Sequence, residues 1–205
     1  MHCKGRSVLL AESSKSGWKT SECLKGTHPQ CISYSHKHTK RVYCGTFGEG
    51  LWQTDDLGQI WDRIGMYEIF SDKVTSVLVS QLETIFVGTE PSALYTSKNG
   101  GESWQQISAL NSLKSSAIWS FPPRPWTSHI RWIELDATSP NHLYVAIEAG
   151  ALVQSHDGGT TWIDKVNEGP FGTHTMFTHK VAPGHLYCGL GPVLSFLDVL
   201  LFLTG

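Results

Sequence analysis

Along the chain, short apolar runs rich in Val, Ile, Thr and aromatic residues alternate with polar bends built from Gly, Pro, Asn and Asp. Between residues 74 and 107 this pattern predicts four strands, A to D, at 74–80, 84–90, 93–97 and 103–107. Strands this short, separated by turn residues, fit an all-β protein.

The pattern repeats. Three octets, "TDDLGQIW" (54–61), "SKNGGESW" (97–104) and "SHDGGTTW" (155–162), share Ser/Thr, any, Asp/Asn, any, Gly, two of any, Trp. Each follows an extended apolar run, and Gly45, Gly88 and Ala146 each lie 16 residues before their tryptophan. From Trp18 to Gly45, Trp61 to Gly88 and Trp162 to Gly189 the step is 27 residues, so one unit is 43 residues long. Only the step from Trp104 to Ala146 is longer, by 15 residues, which marks an insertion at 110–128. A β-rich period in the low forties predicts a β-propeller of four-stranded antiparallel blades.

In this frame the octet is the turn between strands C and D. Gly58, Gly101 and Gly159 would supply the positive φ of a tight bend, and Asp56, Asn99 and Asp157 would accept its backbone N–H groups. Thr54, Ser97 and Ser155 open the turn, and Trp61, Trp104 and Trp162 fill the space beneath it. Asn99 argues for a structural role, since an amide can hold a turn but cannot act as a general base.

These octets resemble the Asp-box, or BNR, repeat of the sialidase-type β-propellers, a superfamily that also holds xyloglucanases, sortilin-type receptors and photosystem II assembly factors. The run "WSFPPRPWTSHIRWIELD" further resembles prokaryotic BNR-repeat proteins labelled as glycosyl hydrolase-like. The repeat is specific for the fold and not for activity. The blades fall at 31–64, 74–107 and 129–166, with partial blades at 8–21 and 173–190 and a divergent apolar tail at 191–205. Such relatives usually close with six or more blades, so the resemblance implies an incomplete ring and a truncated copy. An open arc would expose sheet edges and a blade face to self-association.

Bulk properties narrow the partners. A formal charge of −2 with scattered signs gives no footprint for nucleic acid or an anionic membrane. The N-terminal apolar stretch is too short for a signal peptide, which points to the cytoplasm, and the apolar tail is too short to span a bilayer. Five cysteines without CxxC or zinc spacing suggest buried thiols.

The resemblance implies that ligands bind on the face built by the D-to-A and B-to-C connections, opposite the octets. That face would carry Glu49, Glu90 and Glu148, Trp119, Arg124, Trp126, His129 and Arg131 from the insertion and its following strand, and His174. Glu90 and Glu148 are candidates for acid and base in glycoside hydrolysis, or each accepts N–H groups in its own turn. Trp119 and Trp126 are candidates for a stacking platform or a protein-binding patch, or they plug the central channel. Prolines 122, 123 and 125 would hold the segment extended. His129, His174 and Glu148 could hold a divalent metal, but no ligand pair has a short metal-binding spacing, so hydrogen-bonded channel histidines and no cofactor are expected. Sialidase chemistry lacks support: Arg41 and Arg63 fall on strands B and D, leaving only Arg124 and Arg131 for the ligand face. Two functions stay open, a recognition module for a glycan or protein, and a glycosidase-type hydrolase. An inactive truncated copy is the third reading.

Overall fold

A computed structural model describes residues 7–124, 126–164, 172–190 and 199–203. Of the sequence expectations, the ends of the chain, Pro125, the end of the 129–166 blade and most of the apolar tail lie outside the described residues.

The chain is a series of antiparallel sheets. A hairpin of β1 (Val8–Ser14) and β2 (Gly17–Cys23) comes first. Three four-stranded sheets follow: β3 (Pro29–Tyr34), β4 (Val42–Thr46), β5 (Gly50–Thr54) and β6 (Asp62–Ile64); β7 (Val74–Val79), β8 (Ile85–Thr89), β9 (Leu94–Ser97) and β10 (Gln105–Gln106); β11 (Ile130–Asp136), β12 (Ser139–Ile147), β13 (Ala151–Ser155) and β14 (Ile163–Asp164). The last sheet joins β15 (Thr173–His179), β16 (Ala182–Leu190) and β17 (Val199–Leu203). Strand order within each sheet follows chain order, as the A-to-D reading requires. The segment read as a divergent tail supplies β17, which pairs with the free edge of β16.

The core lies between successive sheets. One cluster joins Tyr43 and Leu51 to Val74, Val79 and Ile85, a second joins Phe86 and Leu94 to Ile130 and Ile133, and a third joins Tyr144 to Met176 and Leu186. The second and third four-stranded sheets thus bury both of their faces, which no single sheet could do alone. The recurrent glycine of strand B makes the stacking close. A Cβ built on Gly88 would stand 2.6 Å from Cβ of Ile130 on the next sheet.

The three octets fold as the same turn. The hydroxyl of Thr54, Ser97 or Ser155 accepts the N–H of Gly58, Gly101 or Gly159 at 2.8–2.9 Å and donates to Asp56, Asn99 or Asp157 at 2.7–2.9 Å. That Asp or Asn oxygen accepts the N–H of Ile60, Ser103 or Thr161, and each tryptophan Nε1 donates to the glycine carbonyl three residues earlier. Gly58, Gly101 and Gly159 have φ of +88°, +96° and +95°. Hydrogen bonds from the Thr161 side chain and backbone, then from Ser155, pull the Asp157 carboxyl down to about 2. Its lone pairs are committed to the turn.

Candidate functional site

Strand register defines the site. The N–H groups of Phe47, Glu90 and Glu148 donate to the carbonyls of His28, Lys73 and His129, just before the A strand of their own sheet. Glu90 and Glu148 therefore hold one repeat position at the start of the B-to-C turn, and in the first sheet that position is Phe47. Glu49, expected beside them, is exposed at the turn tip and has no polar partner among the described residues. The β4–β5 turn runs two residues past the equivalent position before reaching it. Counting two residues from Gly45, Gly88 and Ala146 yields Phe47, Glu90 and Glu148.

The insertion folds back over this end. Two short 3₁₀ turns, Ser108–Ser112 and Lys114–Ile118, bury Leu110 and bring Ser115 N–H to Asp164. Asn111 donates to the Ser92 carbonyl. Trp119 is buried in the cluster between the second and third sheets, with its Nε1 donating to Ser115 Oγ at 3.1 Å. Trp119 therefore packs between two sheets and offers no surface for stacking. Trp126 is 80% exposed. Between them, turn hydrogen bonds from Phe121 to Thr127 set Arg124 against the sheet.

Arg124 reaches Glu90 with both ends of its guanidinium, Nε to Oε1 at 2.9 Å and Nη2 to Oε2 at 2.7 Å. Lys73 Nζ stands 3.6 Å from Oε1. Glu90 is 1% exposed, so a buried carboxylate is neutralised by cations from the insertion and from its own sheet.

Glu148 is the second centre. The Nε2–H of His129 donates to Oε2 at 2.7 Å, His174 Nε2 donates to Oε1 at 3.1 Å, and Arg131 Nε lies 3.6 Å from Oε2. Burial pushes the Glu148 carboxyl up, but the His129 hydrogen bond and the charges of His129, His174 and Arg131 outweigh it and hold the group below the usual range. His129 Nδ1 faces Glu90 Oε2 at 3.6 Å, so one imidazole stands between the two carboxylates. Its ring meets Phe121 edge to face at 4.8 Å between centroids.

A cavity of about 180 Å³ opens here, lined by Glu90, Arg124, His129, Arg131 and Glu148 together with Gln30, Phe47, Thr75 and Phe121. His129 Nδ1 and Arg131 Nε are buried beside it without a hydrogen-bond partner. Of the expected residues, Glu90, Glu148, Arg124, His129 and Arg131 line the cavity and His174 joins them through Glu148, while Glu49, Trp119 and Trp126 do not line it. Lys73, Phe47, Phe121, Thr75 and Gln30 escaped the sequence reading. Thr75, Arg131, His174 and Gln30 share one position, beside the irregularity at the start of the A strand. Among the described residues no group of three His, Cys, Asp or Glu side chains is arranged to hold a metal ion.

No protein-family profile and no curated protein matches the sequence. Solved structures do match the fold. A GH74 xyloglucanase from Xanthomonas campestris aligns with a TM-score of 0.58 at 15% identity, over 83% of this chain and 28% of that one. An ancestral GH74 enzyme aligns at 0.60 and 19% identity, over 79% and 22%. YCF48 bound to a D1 peptide aligns at 0.55 and 14% identity, over 87% and 54%. These neighbours are β-propellers, and the chain spans between about a fifth and about half of their length. No described helix is long and apolar enough to cross a membrane.

Proposed function

We propose that the chain is a recognition module that binds a glycan or a protein segment on the face carrying residues 110–131. The observation that carries this reading is the state of the two candidate catalytic carboxylates. Glu90 is buried and held by both ends of Arg124, and the His129 imidazole occupies the space between it and Glu148. An acid–base pair needs room for a sugar and a water between its members. Recognition needs only accessible groups beside a stiff support, and Trp126 and the Arg131 side chain offer an aromatic surface and a cation there. Among proteins of this fold, one neighbour carries a bound peptide and another is a xyloglucanase, so both ligand kinds have precedents.

The test is binding to a panel of oligosaccharides and peptides, with aryl glycoside hydrolysis followed in parallel. Trp126→Ala is expected to weaken binding about tenfold or more, as loss of an aromatic anchor does. Hydrolysis by the wild type that disappears in Glu148→Gln would replace this reading with the glycosidase one.

A further inference from the structure

Two junctions between sheets share one frame, and the second has lost the side chains that fill the first. Strand register aligns the cross-strand pairs Tyr43–Gln53, Phe86–Thr96 and Tyr144–Gln154. Where the first four-stranded sheet meets the second, this position is occupied. The Tyr43 hydroxyl donates to the carbonyl of Gly100, in the octet turn of the second sheet, at 3.3 Å. Arg41, two residues before Tyr43, bonds Asp55 of its own octet and holds Nη1 3.0 Å from where a Cβ on Gly100 would lie. Gln53 donates to Asp55 at 3.1 Å.

Between the second and third sheets the approach is the same: Ile64 and Ile107 each come within 2.9 Å of where a Cβ on Gly101 or Gly159 of the next octet would lie. The filling differs. Phe86 stands in place of Tyr43 and has no hydroxyl for the carbonyl of Gly158, the octet glycine that matches Gly100. Thr84 stands in place of Arg41 and Lys98 in place of Asp55, which removes the guanidinium and its anchor. Thr96, in place of Gln53, leaves its Oγ1 buried without a hydrogen-bond partner. A cavity of about 440 Å³ opens here, lined by Thr84, Phe86, Thr96 and Lys98 of the second sheet and by Gly158 and Thr160 of the third. Gln105, Gln106 and Asn141 complete its wall, and none of these three side chains has a polar partner among the described residues.

We infer that this cavity is a binding site for a neutral oligosaccharide, on the octet side of the second and third sheets. It is separate from the ligand face and does not rest on that reading: Thr84 precedes β8 and Glu90 follows it, so the two sites lie at opposite ends of one strand. The volume falls in the range of small-molecule sites. Amide side chains both donate and accept hydrogen bonds, as sugar hydroxyls do, so Gln105, Gln106 and Asn141 match a polyhydroxyl ligand. A ligand hydroxyl can serve the Gly158 carbonyl as Tyr43 serves that of Gly100. Phe86 and Leu82 add apolar surface for the C–H face of a ring. The Asp157 carboxylate at the wall is already bonded by Ser155 and Thr161, which leaves Lys98 as the one unpaired charge of the lining. A single exposed lysine is too small a counterpart for an acidic chain.

The test titrates the whole chain with cellotetraose, maltotetraose and chitotetraose, and with tetragalacturonate as an acidic comparison, following backbone amide signals by NMR. At least one neutral probe is expected to bind with a Kd of about 1 mM or tighter, and to move the signals of Thr96, Gln105, Gln106 and Gly158. Gln105→Ala/Gln106→Ala alters two exposed side chains, so it should fold as wild type and weaken that binding about tenfold. Thr84→Arg/Phe86→Tyr/Lys98→Asp copies the first junction into the second and should abolish binding, with folding checked by circular dichroism. Trp126→Ala should leave binding at this site unchanged. The inference is overturned if no neutral probe binds at up to about 10 mM, if only tetragalacturonate binds, or if the two glutamine replacements change nothing. Binding that is lost in Trp126→Ala and kept in the triple variant belongs to the ligand face, and overturns this inference while supporting that reading.

Discussion

Arg124 and Glu90 lie 34 residues apart in the chain, and both guanidinium–carboxylate hydrogen bonds between them are shorter than 3.0 Å. The pair ties the insertion to the B-to-C turn of the second sheet. Removing the cation leaves a buried carboxylate facing only Lys73 at 3.6 Å and the His129 ring. Arg124→Ala is expected to cost about 3 kcal/mol in denaturant unfolding, the scale of a broken buried pair. Glu90→Gln should cost less, because the released Arg124 is already partly exposed and can take up water. Arg124→Ala should also open the 119–127 segment to limited proteolysis.

Two carboxylates shape stability against pH in opposite senses. Burial raises the Glu134 carboxyl to about 7, with hydrogen bonds from Trp132 and Thr178 only partly opposing it. The folded state therefore binds a proton more tightly than the unfolded chain, and this contribution is full below the ordinary carboxylate range and lost as pH rises toward 7. Glu148 is held below its ordinary range, so its contribution is present above that range and lost as pH falls through the lowered value. Glu134→Gln should raise unfolding free energy at pH 8 by up to about 3 kcal/mol and change it far less at pH 4. Equal effects at the two values would show that Glu134 titrates normally.

The sheets could be read from the chain because their markers are local. A hydroxyl, an Asp or Asn, a positive-φ glycine and a tryptophan close one turn within eight residues, and the glycine-to-tryptophan distance counts residues inside one sheet. The site is written in contacts between sheets. His174 meets Glu148 from 26 residues away, and Arg124 meets Glu90 across the insertion, with nothing in either neighbourhood to announce the partner. Residue type points to Glu49 where the register selects Phe47, and Trp119 and Trp126 look alike in sequence although one is buried and the other exposed. Tryptophan composition cannot tell which side of a loop packs down.

Ser155 and Thr54 make the same turn with different side chains. The Ser155 hydroxyl is fully buried, accepting from Gly159 N–H and donating to Asp157, so Ser155→Ala leaves that amide unsatisfied. A loss of about 1–2 kcal/mol is expected from thermal or urea unfolding. Ser155→Thr should be far milder, because the extra methyl is already accepted at Thr54. If alanine and threonine cost the same, the turn is held by its backbone and not by this hydroxyl.

Gly88 sits where the third sheet comes close to the second. A methyl group there would meet Ser76 Oγ and stand 2.6 Å from both Cβ and Cγ2 of Ile130. No positive φ is involved, so any cost of Gly88→Ala comes from the approach of the sheets. The expected loss is about 1–3 kcal/mol, the range for overpacking a tight core. The third sheet carries Ala146 at the same position, so the stack tolerates a methyl where the facing side chains are arranged for it. Combining Gly88→Ala with Ile130→Ala removes the Cγ2 that the new methyl would meet, so the double variant should lose less stability than the two single losses added together. Losses that simply add would mean that Ser76, on the same sheet, and not the neighbouring sheet, sets the need for glycine.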